Sequence, residues 1–143
     1  MKMKQFLMAA SVFISMTAMS QPTDHWRLYV NKTKIQTGQA DVPGEAAISS
    51  AAKGRFTVRY SGTGKNDSKR TILIFDQERH ELMSKAIGDS YGRFSFNIDS
   101  LKSKTQTRAF SIYTVAIPKN RNTAMLVRVA PKLLCAVSWK QAE

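Results

Sequence analysis

One cysteine, two histidines and ten carboxylates are all that this chain of 143 residues offers to most kinds of site chemistry. The lone Cys135 forbids an internal disulfide, so a stable fold must rest on its core. It sits in the apolar run Leu133-Leu134-Cys135-Ala136-Val137, where a thiol behaves as a small buried hydrophobe. His25 and His80 lack the Gly-x-Ser-x-Gly context of a nucleophilic triad and the His/Cys cluster of a metal site, so both read as solvated. No cofactor and no metal is expected, and the chain reads as noncatalytic. The fragment Gly62-Thr63-Gly64-Lys65 is not a phosphate-binding loop: Arg59 stands where the motif needs its first glycine and Asn66 where it needs Ser or Thr.

Long apolar runs are also missing beyond the amino terminus. Lys2 and Lys4 precede an apolar stretch from Phe6 to Met19 that ends in Ala18-Met19-Ser20, the pattern of a signal peptide cut between Ser20 and Gln21. Ser11, Ser15 and Thr17 interrupt this stretch, which is short for a membrane span of about 20 residues. The expectation is a leader over residues 1–20 and one exported domain over 21–143, periplasmic or extracellular, with no transmembrane segment in the mature chain. A domain of this length can bury roughly two-thirds of its unfolded surface.

What the chain does have is β-strand pattern. Arg70 to Phe75, Leu82 to Ile87, Arg93 to Ile98 and Ala109 to Ile117 are rich in Ile, Phe, Val and Tyr, and turn residues separate them, which reads as a meander. Trp26-Leu28-Val30, Phe56-Val58-Tyr60 and Phe94-Phe96-Ile98 alternate with polar residues, as half-buried strands do. Asn31-Lys32-Thr33 turns the chain, with Lys34 to Thr37 as a short hairpin partner. Residues 76–88 fit either a helix capped by Asp76 and stopped by Gly88 or a turn followed by a strand. The strand is preferred because it keeps its neighbours local. Gly38 to Lys53 reads as loop with a turn of helix, and Asp99-Ser100 as a turn. Between Ala109 and Ile117 the apolar phase moves by one residue, the mark of a β-bulge or of a strand covered on both sides. Met125-Val127-Val129 and Leu133 to Trp139 complete the set. The fold expected is an all-β, immunoglobulin-like antiparallel sandwich of seven to nine strands.

Ile72-Leu73-Ile74-Phe75-Asp76, then Phe94-Ser95-Phe96-Asn97-Ile98, then Phe110-Ser111-Ile112-Tyr113-Thr114-Val115 resembles the strand cadence of small bacterial immunoglobulin-like sandwiches, including the carboxy-terminal sorting domains of type IX secretion cargo. The resemblance implies a fold and a cell-envelope setting.

Charge of one sign is scarce: 22 Lys and Arg stand against 10 Asp and Glu, a formal net charge of +12. Arg59, Lys65, Lys69 and Arg70 bracket one loop, Lys102, Lys104 and Arg108 lie in another, and Lys119 and Arg121 in a third. If strands 55–60 and 70–75 pair as a hairpin, Arg59 and Arg70 meet at its base, where like charges repel unless an anion lies between them. The candidate anion-binding set is therefore Arg59, Lys65, Lys69, Arg70, Lys119 and Arg121. Its expected partner is an acidic glycan or another anionic envelope component such as lipopolysaccharide. Nucleic acid is disfavoured, because Phe56 and Tyr60 point away from Arg55 and Arg59 and cannot form an interleaved stacking platform. Two other classes stay open: a structural subunit that pairs with a protein partner through a sheet edge, and a hydrolase using dispersed carboxylates such as Asp76, Glu78 and Glu81.

Overall fold

The computed structural model of the protein describes residues 24–62, 68–88, 91–106, 108–120 and 130–141. In chain order its elements are β1 (His25–Val30), β2 (Thr33–Gln39), β3 (Gly44–Ser49), β4 (Arg55–Ser61), β5 (Ser68–Asp76), β6 (Glu81–Ile87), β7 (Tyr91–Asn97), α1 (Ile98–Thr105), β8 (Phe110–Pro118) and β9 (Lys132–Lys140). The strands form two sheets, one in the order β2-β1-β4-β7 and the other in the order β3-β9-β8-β5-β6. Alternation decides which side of each strand is inside: Trp26 and Leu28 on β1, Phe56, Val58 and Tyr60 on β4, and Ile72 and Ile74 on β5 are all buried between the layers. The all-β sandwich is therefore observed, with nine strands among the described residues.

Several expectations need correction. Residues 38–53 are not simply loop, because β3 runs parallel to β9 from Gly44 opposite Cys135 to Ser49 opposite Lys140, so one pairing of the sandwich is not antiparallel. Only Ile48 of β3 is buried, which leaves an Ala/Ser-rich strand without an alternating pattern to betray it. Asp99-Ser100 is not a turn but the first turn of α1. The Asn97 side chain accepts from the Asp99 N–H at 2.8 Å and caps this helix, while Ile98 and Leu101 plug the end of the core. The meander is broken as well. β5, β6 and β8 share one sheet, but β7 crosses to the other and pairs with β4. Strands 55–60 and 70–75 form no hairpin, since β4 and β5 lie in different sheets.

The strand chosen for residues 81–87 is present, paired antiparallel with β5, and Asn31-Lys32 is the turn between β1 and β2. The phase change in β8 has a different origin from either expected. A register shift does fall between Ile112 and Tyr113, but the surplus residue is Leu134 of β9, and β8 keeps Phe110, Ile112 and Thr114 inward. Its outward apolar residues include Tyr113, which packs edge-on against Phe75 at 5.1 Å. The strand expected around Met125-Val127-Val129 lies outside the described residues.

Aromatic rings tie the layers together. Phe56 lies 5.2 Å from Phe96 and 6.1 Å, edge-on, from Phe110, which in turn lies 5.9 Å from Trp139. Cys135 is fully buried in this core. Burial, reinforced by the Glu45 carboxylate, pushes its thiol up to about 12. The native protein should therefore react with a disulfide reagent at pH 8 slower by roughly a hundredfold or more than the unfolded chain. Stopped-flow thiol titration with and without guanidinium checks this, and comparable rates would contradict an inert thiol.

Candidate functional site: a basic sheet face

The inward half of β1, β4 and β7 makes the core, so the outward half is set by the same alternation. Facing out are His25, Arg27 and Tyr29 on β1, Arg55, Thr57, Arg59 and Ser61 on β4, and Tyr91, Arg93 and Ser95 on β7. Register then aligns them in rows. Arg27 lies directly opposite Arg59, and Arg59 directly opposite Arg93, so three arginines cross the sheet side by side. The next row is Tyr29, Thr57 and Ser95, in which the Thr57 and Ser95 hydroxyls share a 2.7 Å hydrogen bond.

Above these rows is a trough of about 960 Å³ lined by Tyr29, Asn31, Lys32, Gly54, Arg55, Thr57, Arg59, Lys85, Arg93 and Ser95. Five of those ten residues are cationic and none is acidic. Arg59 and Arg27 also line a smaller adjoining hollow with His25, Ser61 and Tyr91. The Arg59 guanidinium carbon lies 5.0 Å from the centre of the Tyr29 ring, and its Nε is buried without a hydrogen-bond partner. Among the described residues, Arg27, Arg59 and Arg93 form no ion pair with a carboxylate. Like charges placed directly across adjacent strands are unfavourable, and a buried unpaired N–H adds to the cost. The floor of this trough is shaped by a local device. Asn31, at φ 55°, accepts from the Arg55 N–H at 3.0 Å and donates to the Lys53 carbonyl at 2.9 Å. Gly54, at φ 105°, leaves the room that this side chain occupies.

The residues proposed from sequence fall in several places. Arg59 is on this face, beside Arg27 and Arg93 and not beside Arg70. Arg70 points inward: it pairs with Asp24 at 3.5 Å, donates to the Thr114 hydroxyl at 3.2 Å and lies 4.3 Å over the Tyr60 ring. The Tyr60 hydroxyl donates to the same Asp24 carboxylate. Lys69 is exposed on the outer side of the other sheet, Lys119 is exposed just after β8, and Lys65 and Arg121 lie outside the described residues. Lys102 and Lys104 belong to α1 and not to a loop. Lys102 donates to the Ala52 carbonyl at 2.7 Å and lies 5.8 Å from the Trp139 ring centre. Arg27 of the adjoining hollow and the trough residues Lys32, Arg55, Lys85 and Arg93 were missed. For Arg27 and Arg93 the signal was that each, like Arg59, is an outward arginine in its own strand, aligned only once the register is known.

Phe56 and Tyr60 do point away from Arg55 and Arg59, but Tyr29 and Tyr91 share the arginine face, which the sequence reading overlooked. Asp76, Glu78 and His80 place one ligand atom each within 4.8 Å of one another, a grouping that the sequence reading, which took His80 as solvated, did not consider. Asp76 serves the β5–β6 turn: one carboxylate oxygen accepts the N–H of His80 at 2.8 Å and that of Glu78 at 2.9 Å. The His80 N–H above all holds this carboxyl below its usual range. Among the described residues no helix is long and apolar enough to cross a membrane. No family model, curated protein or solved structure matches this chain.

Proposed function

We propose that this chain is an exported, noncatalytic, immunoglobulin-like binding module of the cell envelope that takes an anionic glycan or similar anionic envelope component on the outward face of its four-stranded sheet. The observation that carries the reading is the in-register row Arg27, Arg59 and Arg93. Three like charges aligned across neighbouring strands oppose folding, and an anion lying over them turns that repulsion into binding energy. None of the described lining residues of the trough is acidic, which supports the same reading. The site differs from the loop cluster expected from sequence, because sheet register and not chain proximity gathers the charge.

Immobilised heparin at rising salt is the test. The wild-type protein should be retained at physiological ionic strength and elute with a steep salt dependence. Replacing Arg27, Arg59 and Arg93 together by alanine should weaken binding by about tenfold or more and flatten the salt slope by roughly one unit per residue removed. Unchanged retention of a folded triple variant would move the site elsewhere, and no retention of the wild type would remove the function.

A further inference from the structure

We infer that the arginine row selects tetrahedral oxyanions, sulfate or phosphate esters carried on a glycan chain, over carboxylates. This rests on the proposed anion-binding role of the same face and names the chemistry it reads.

The geometry sets the requirement. Arg27, Arg59 and Arg93 are direct cross-strand neighbours, so their backbones are about 4.8 Å apart from strand to strand. Each guanidinium carries five N–H donors in a planar fork. A carboxylate has two oxygens in one plane, so a fork that takes both leaves only their outer lone pairs, in that same plane, for the neighbouring guanidinium. A sulfate or phosphate monoester has three free oxygens that do not share one plane with each other and the central atom, so it can present a pair of oxygens to each of two adjacent forks at that spacing. Arg59, the shared member, is the most constrained: Tyr29 holds its guanidinium from one side while its Nε lacks a partner.

The adjacent row adds an acceptor preference. Thr57 and Ser95 have two hydroxyl hydrogens between them and spend one on their mutual bond. The other is left to donate, and an oxyanion without hydrogens is its natural acceptor.

The shape of the site argues for a glycan chain as carrier. A flat bilayer surface cannot enter a trough, whereas a single chain can lie along it. A nucleic-acid strand needs successive exposed ring faces for its bases. Here the Tyr29 ring is taken up by Arg59, and among the described residues of this face the other rings, Tyr91 (62% exposed) and His25, sit in one row at the end of the sheet, across Ser61 from each other.

Calorimetric titration of the purified protein with dextran sulfate and with polygalacturonate, at equal charge concentration and ionic strength, tests the selection. Dextran sulfate should bind about tenfold tighter or more, because a bridging oxyanion engages two full forks where a carboxylate engages one full fork and its neighbour only edge-on. Changing Arg27, Arg59 and Arg93 together to lysine keeps the charge and removes the forks. This variant, checked for folding by circular dichroism, should bring the two polymers to within roughly twofold of each other, mainly by weakening dextran sulfate. Equal wild-type affinity for both polymers would overturn the selection while leaving the anionic-glycan reading intact. No binding of either would overturn both. Tighter binding of oligo(dT) or of anionic phospholipid vesicles than of dextran sulfate would overturn the glycan carrier.

Discussion

Replacing Trp26 with alanine is expected to lower the unfolding free energy by about 3–5 kcal/mol, the usual cost of removing a large buried ring. Trp26 is 1% exposed and lies directly across β1–β2 from Gly38. Its six-membered ring passes so close to Gly38 and to Gly44 of β3 that a methyl group at either glycine would overlap it. The indole N–H donates to the Gln39 carbonyl at 3.2 Å. Because Gly38 belongs to one sheet and Gly44 to the other, the ring fills a slot shared by both layers where the edges of the sandwich meet.

The reciprocal change makes the argument sharp. Gly38→Ala should cost about 1–3 kcal/mol by overpacking, since its new methyl displaces a ring that cannot yield cheaply. In the double variant Trp26→Ala/Gly38→Ala that clash has no object, so the two losses should fall short of additivity by more than about 0.5 kcal/mol. Urea denaturation of the four proteins measures the cycle. Additive losses would mean that Gly38 is required for some reason other than the ring.

The contrast between β7 and β3 shows what was legible in the sequence. Phe94 and Phe96 alternate with Arg93, Ser95 and Asn97, so β7 declares both its conformation and its buried side without help from the fold. β3 presents Ala46, Ala47 and Ile48 with one fully buried residue, and its partner β9 is far along the chain, so neither pattern nor turn chemistry points to it. α1 was legible in principle: Asn97 is a good cap, and Ile98, Leu101 and Thr105 recur on one helical face. The Asp99-Ser100 pair looked like a turn because caps and turns use the same residues. The basic site was half legible. Its members are ordinary outward arginines in three strands, and their meaning depends on a register that joins β1, β4 and β7 across long stretches of chain.

Arg70 separates a structural role from a binding one, and it is the second large effect expected. With its side chain 14% exposed, facing Asp24 at 23%, Arg70 holds a mostly enclosed ion pair that also touches the Tyr60 ring and Thr114. Arg70→Met should cost about 2–4 kcal/mol, somewhat below the figure for a fully buried pair because both groups retain some water. Pairing it with Asp24→Asn should recover much of that loss, since no unpaired carboxylate then remains in the site. The clamp also has a pH signature. Burial first, and then the hydrogen bond to Asp24, raise the Tyr60 phenol above its ordinary value near 10. The folded protein therefore keeps a proton that the unfolded chain has lost, so this contribution is whole below about pH 10 and falls as pH rises, by up to about 1.4 kcal/mol per unit. Cys135, raised in the same sense, adds a slope of its own at alkaline pH, so Tyr60→Phe should reduce the alkaline slope by about one proton and not abolish it. Binding completes the distinction. Tyr60 points inward one residue from the outward Arg59; it reaches the edge of the smaller hollow beside Arg27 and Arg59, but neither it nor Arg70 lines the trough. At temperatures where it is folded, Arg70→Met should bind dextran sulfate within roughly twofold of wild type, whereas Arg59→Ala should lose about tenfold with little change in stability. The reverse outcome would return the anion site to the loop base where the sequence first placed it.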